Sequence, residues 1–213
     1  MGKWKWTVDA FVNPPDKVMK MFDAVLELVS EKAELTSLKV QDITTRAGIG
    51  KGTAYEYFDS REDIILFALL YDYSKKIQRL QQRFQKQDSF QEQCYLVMDW
   101  LVENGEYNSS FLHMLHWIFR DGDPCMEIQQ KIPEEIFGAM EGFLLNECDA
   151  MLERAYQDGA IKETDVIKRR LAFGKLIMEV IFTQAPGPGQ KYFQMDFNKM
   201  KDHAYNSLLK ELS

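Results

Sequence analysis

The sequence predicts an all-α protein: a small three-helix head at the N-terminus, joined by a long helix to a larger all-helical body. Three observations predict it. Apolar residues recur every three or four positions through most of the 213 residues, as helices with one buried face require. Alternating β-branched runs closed by Asn-Gly or Asp-Gly turns, the mark of strands, are essentially absent. Proline and glycine fall at helix-length intervals: Pro14-Pro15, Gly48, Asp121-Gly122-Asp123-Pro124, Gly159 and Ala185-Pro186-Gly187-Pro188-Gly189.

Pro14 and Pro15 suit the start of a first helix, with Val18, Met21, Phe22, Val25, Leu28 and Val29 on one stripe. A short segment from Val40 to Ala47, a glycine turn and a second short segment to Phe58 follow. Ser60, with Asp63 as its acidic partner in a capping box, opens a long helix whose stripe is Ile64, Phe67, Ala68, Tyr71 and Ile77. Helical spacing continues through Phe90–Asn104 and Ser110–Arg120. It resumes from Pro133 to near Gly159, from about Thr164 to Phe182, and in a last amphipathic helix bearing Phe197, Met200, Leu208 and Leu209.

Composition bounds the chemistry. Apolar residues make up 46% and charged residues 28%, ordinary for a soluble globular protein. No apolar run reaches the roughly 18–20 residues that span a bilayer, and MGKWKWTVDAF has no signal-peptide pattern. No membrane association is therefore expected. Three scattered cysteines suit reduced thiols and a cytoplasmic location. The net charge of −7 lies almost wholly in the body. Residues 1–85 carry 13 cationic and 12 acidic side chains, against 13 and 21 in residues 86–213. A near-neutral head can hold phosphates if its cations share a face, and an acidic body is repelled by them.

The stretch AGIGKGTAYEYF, Ala47–Phe58, first suggests a phosphate loop. Lys51-Gly52-Thr53 reverses the order a Walker loop needs, and Thr53 fills the third glycine place of a dinucleotide fingerprint; no strand leads into either. A helix-turn-helix accounts for more residues. Gly48 supplies a φ > 0 link between two steeply crossing helices, while Ile43, Ala47, Ile49, Ala54 and Phe58 form an apolar seam. Lys51, Thr53, Tyr55, Glu56 and Tyr57 are then left on the remaining faces, as residue types that bond phosphates and base edges. The pattern alone also admits a short helical hairpin whose tyrosines only pack.

Residues Leu38–Leu70 closely resemble the DNA-binding head of the tetracycline-repressor (TetR) family of transcriptional regulators. The resemblance lies in Val40-Gln41-Asp42-Ile43, the Ala47-Gly48-Ile49 turn, the helix Lys51–Phe58 and the opening Ser60-Arg61-Glu62. It implies a helix-turn-helix domain with a short arm over residues 1–60 and a ligand-binding and dimerisation domain over 61–213. The expected function is that of a ligand-responsive repressor rather than an enzyme: a homodimer on a pseudo-palindromic double-stranded DNA operator, released by a small apolar or amphipathic effector of unspecified identity. The alternative is a helical protein-interaction module that no longer binds DNA specifically.

Carried onto matching positions, the resemblance makes Gln41 a base reader and Lys39 a phosphate contact. It places Lys51, Gly52 and Thr53 in the major groove, Tyr55 and Tyr57 on phosphates or thymine methyls, and Arg61 on a phosphate. Three departures stand out. Gly50 replaces a common serine, and Lys39 replaces a common capping Ser or Thr, leaving the cap to another residue such as Ser37. Glu56 puts a negative charge on the DNA side.

In the body, Met98, Trp100, His113, Met114, Trp117, Met140 and Phe143 are candidates for the effector pocket, because methionine and aromatic side chains line adaptable apolar cavities. The same stripe also suits plain core. His113 and His116 lack a third ligand, so no metal and no cofactor are expected. Ile177, Ile181, Met200 and Leu208 are candidates for the dimer interface, on apolar faces that also carry Leu171, Met178 and Leu209. Lys3–Trp6 suits a basic arm, surface packing or a frayed terminus equally.

Overall fold

A computed structural model of the chain describes residues 7–31, 35, 37–104, 134–184 and 196–213, for Val8, 134–145 and Gln184 by their backbone alone. Every regular element among them is a helix: α1 (Val8–Val12), α2 (Asp16–Ser30), α3 (Val40–Arg46), α4 (Lys51–Tyr57), α5 (Arg61–Phe84), α6 (Phe90–Asn104), α7 (Glu134–Gln157), α8 (Val166–Gln184) and α9 (Phe197–Glu211). Packing divides the chain into two units. The first runs to Lys76 and takes in α7 through Met140; the second takes in Ile77 onward and α7 from Glu141.

In the first unit, α2, α3 and α4 pack against one another. The predicted stripe of α2 is its buried face: Val18, Met21, Phe22, Val25 and Val29 are all at most 3% exposed. Each such side chain contributes about 1.5–3 kcal/mol when removed from water. Five rings then join three helices and the α4 cap. Phe22 lies 6.1 Å from Phe58 and 5.5 Å from Tyr71, Phe58 lies 6.4 Å from Phe67, and Phe11 touches Phe67 and Tyr71. Phe11 belongs to α1, whose five residues are too few to show a helical period in the sequence. Thr7 caps it by accepting from the Ala10 N–H at 3.2 Å, and it stops at Asn13 before the two prolines.

The start of α5 follows the expected capping box. Ser60 N–H donates to the Asp63 carboxylate at 3.0 Å, and Asp63 N–H donates to Ser60 Oγ at 3.1 Å.

In the second unit, α6, α8 and α9 pack pairwise. Ser89 and Glu92 cap α6 reciprocally, Asp165 accepts from Ile167 N–H before α8, and Asp196 accepts from Asn198 and Lys199 before α9. Gly159 ends α7 at φ +74, with Ala160 N–H donating to Ala155 O at 2.9 Å and Gly159 N–H to Tyr156 O at 3.1 Å. That pair of bonds needs a left-handed residue at the second position, which glycine supplies without strain. Beyond it, the N–H groups of Lys162 and Glu163 both donate to Leu212 O. None of the described helices is long and apolar enough to cross a membrane.

Candidate nucleic-acid interface

The crossing of α3 and α4 is set by one glycine and a small seam. Gly48 has φ +66. Ile49 N–H donates to Thr44 O at 3.0 Å and Gly48 N–H to Thr45 O at 3.2 Å, so the last carbonyls of α3 are satisfied as the chain turns. Ile43 and Ala54 are fully buried and Phe58 is 3% exposed. An alanine at position 54 lets α4 sit close to α3, because it contributes only a methyl group to the contact.

Burial of Ala54 fixes what α4 turns outward. Successive residues advance about 100° round a helix. Gly52 and Glu56, each two positions from Ala54, therefore occupy the middle of the opposite face, and both are exposed. Lys51 and Tyr55 flank that midline on one side and are exposed; Thr53 and Tyr57 flank it on the other and are half-buried. Lys51 and Tyr55 make no hydrogen bond or ion pair among the described residues. A Cβ built on Gly52 meets nothing within 4 Å, and its φ is unremarkable, so nothing inside the chain requires glycine there.

Lys39 stands at the N-cap of α3, where its side chain cannot accept. The Asp42 carboxylate instead reaches back to the Lys39 N–H at 2.8 Å. The cap thus comes from the third residue of the helix, and the Lys39 ammonium is exposed and unpaired among the described residues. A non-accepting residue followed three positions later by aspartate was the signal available for this in the sequence. Gln41 is also exposed, its amide donating to Thr45 Oγ1 at 3.2 Å.

Two arginines are less free than their charge suggests. Arg61 Nη1 donates to Leu38 O at 2.8 Å, and Nε donates to Glu62 Oε1 at 2.9 Å. The residue therefore ties the start of α5 to the segment leading into α3, and Glu62 holds half of its fork. Arg46 is clamped by Glu31 through two bonds of 2.8 Å and by Glu27 at 3.2 Å. The guanidinium holds the Glu31 carboxyl below the usual carboxylate range.

A family model described as bacterial regulatory proteins, tetR family, matches residues 23–67, which span α3 and α4 with the second half of α2 and the first turns of α5. The fatty acid metabolism regulator protein of Bacillus subtilis (strain 168) is 29% identical over 164 residues, covering 75% of this chain and 79% of that protein. The chain thus carries a tetR-type regulatory head. It is accordingly a DNA-binding transcriptional regulator and not an enzyme. Two solved structures share its fold. One is the transcriptional regulator FadR from Bacillus subtilis with stearoyl-CoA: TM-score 0.64, 23% identity, 92% of this chain and 99% of that one. The other is AibR with isovaleryl coenzyme A and operator DNA: TM-score 0.58, 13% identity, 91% and 98% covered.

Met98 is fully buried and Trp100 4% exposed in α6. His113, Met114, Trp117 and His116 lie outside the described residues, as do the side chains of Met140 and Phe143, and Lys3–Trp6. A cavity of about 290 Å³ is lined by Asp149, Ala150, Leu152, Glu153, Val166 and Arg169. Another of about 370 Å³ lies among Phe84, Gln85, Gln87, Gln93, Glu147 and Arg154. Neither is lined by Met98 or Trp100. No group of three metal-ligating side chains occurs among the described residues.

Of the interface candidates, Ile177 and Ile181 are half-buried on α8, while Met200 and Leu208 are 1% and 3% exposed within the single chain. Among the described residues, the exposed apolar stripe lies on α8: Ile167, Leu171, Met178 and Phe182, with Phe182 65% and Leu171 61% exposed. Ile167 and Phe182 were not singled out from the sequence, although spacings of 4, 7 and 4 through this set put all four on one helical face.

Proposed function

We propose that the chain is a cytoplasmic, dimeric repressor whose residues 1–60 hold a pseudo-palindromic operator and whose residues 61–213 dimerise and take up an acyl-coenzyme A thioester that releases the DNA. One observation carries the DNA-binding part: the outward face of α4, with Ala54 buried behind it, Gly52 open at its middle, and Lys51 and Tyr55 unpaired beside it. Here α4 enters the major groove with Lys51, Gly52, Thr53, Tyr55 and Tyr57, while Gln41 reaches a base and Lys39 and Arg61 meet phosphates.

The second copy covers the α8 stripe, because four large apolar residues on one face are costly to leave in water. Ile177 and Ile181 border that contact, and Met200 and Leu208 support it from beneath rather than making it. Two-fold symmetry then sets the operator half-sites about one helical turn apart (~34–36 Å).

The thioester class is supported by the fatty acid metabolism regulator and by the two coenzyme A-bound fold relatives. A long acyl tail also suits a body rich in methionine and aromatic side chains. The experiment is fluorescence anisotropy of the chain on DNA from upstream of its own gene. Stearoyl-CoA is expected to release the DNA, and free coenzyme A to leave it bound. Unchanged binding through a series of acyl-CoA chain lengths would remove the thioester from the reading.

A further inference from the structure

We infer that Glu56 reads a cytosine in each operator half-site and thereby sets the sequence preference of the protein. The inference rests on the repressor reading and names the base contact at its centre. Glu56 lies on the midline of the α4 face opposite buried Ala54. It is exposed and makes no hydrogen bond or ion pair among the described residues. One turn earlier, Gly52 carries no side chain and has open space where a Cβ would stand. The carboxylate therefore projects from the part of the helix that can come nearest to a groove floor, with no neighbour to neutralise it.

A carboxylate in that position is selective by chemistry. It accepts and cannot donate, so phosphate oxygens and the acceptor edges of guanine and thymine repel it. The amine of adenine sits beside the N7 acceptor, which opposes a second carboxylate oxygen. The cytosine N4 amine has no acceptor of its own base beside it in the major groove, and accepting from it is the pairing this side chain makes well. Lys51, one flank away, and Lys39, at the start of α3, supply the phosphate attraction that a central negative charge withholds.

The test is selection from a randomised duplex pool with the full-length protein, Glu56→Gln and Glu56→Ala, followed by affinities for every single-base change in the selected site at one salt concentration. Both variants should melt like the parent, since the side chain has no partner to lose. The parent is expected to select a C·G pair in each half-site, its replacement costing about 5- to 150-fold in affinity. Glu56→Ala should become indifferent at that position, keep the other preferences, and bind random DNA more tightly. Glu56→Gln should exchange cytosine for adenine there, because an amide pairs with adenine N6 and N7.

Two results would overturn the inference while leaving the repressor reading intact: identical preferences in all three proteins with uniformly higher variant affinity, or a parent site with A·T at the position Glu56→Ala relaxes. A parent that enriches no sequence at all would overturn the repressor reading itself.

Discussion

Replacing Phe182 with aspartate is expected to leave a folded chain that no longer dimerises at micromolar concentration. Phe182 is 65% exposed in the single chain and Leu171, on the same α8 stripe, is 61% exposed. Burying a large apolar side chain completely is favourable by about 1.5–3 kcal/mol, so covering the exposed part of Phe182 accounts for about 1–2 kcal/mol in each protomer. A two-fold interface loses that twice, about 2–4 kcal/mol per dimer, before the desolvation of two new carboxylates is counted. At 1.4 kcal/mol per tenfold, the dimer dissociation constant rises by at least about 30- to 1,000-fold. Sedimentation equilibrium across a concentration series reads the constant, and circular dichroism checks that the helices persist. An unchanged constant for both Phe182→Asp and Leu171→Asp would refute the placement of the dimer contact on this stripe.

Other expectations follow from single residues. Tyr55→Ala should weaken operator binding with no change in the thermal transition, because Tyr55 is exposed and without a hydrogen-bond partner among the described residues. Arg61→Ala should weaken operator binding and also lower the thermal transition, since the lost bond to Leu38 O is worth about 1 kcal/mol of stability in addition to any phosphate contact; differential scanning calorimetry separates the two variants. Gly48→Ala should lower stability by about 1–2 kcal/mol, the cost of a left-handed alanine. Gly52→Ala should raise stability by about 0.5–1 kcal/mol and lower DNA affinity, since only DNA meets the new methyl group. Arg46 and Arg170 depress the carboxyls of Glu31 and Asp149. Their contribution to stability is therefore full above the ordinary carboxylate range and is lost as pH falls through the depressed values. Melting temperatures of Glu31→Gln and Asp149→Asn should decline less than the parent's between pH 6 and pH 3.

Local chemistry made the head legible. Gly48 could be assigned a left-handed turn because two short apolar segments flanked it, and Ser60 with Asp63 could be assigned a cap because both act within one turn. The Asp42 cap is less legible, because it comes from the third residue inside the helix rather than from a residue at or before the cap position. Arg61 looked like a free cation because its bond to Leu38 O joins residues 23 apart in sequence. The body was less legible for a different reason. Helix α6 buries Phe90, Cys94, Leu96, Val97, Met98, Trp100 and Leu101, so no single stripe distinguishes a pocket wall from core. On α8 the spacing that identifies an amphipathic helix cannot say which apolar residues face the same chain, and Phe182 proved the most exposed of the large hydrophobic residues described.

The clamp on Arg46 has a consequence for how the protein behaves as salt rises. Each phosphate a DNA-binding protein neutralises steepens the dependence of log affinity on log salt by about 0.9. Glu27 and Glu31 hold the Arg46 guanidinium, and withdrawing one cation from each head of a dimer makes that slope shallower by about 2. A twofold rise in salt would then cost roughly 3- to 4-fold less operator affinity than with both arginines on phosphates. On the proposed repressor reading, the two glutamates thus make operator binding less sensitive to salt, by keeping one arginine per head off the phosphates.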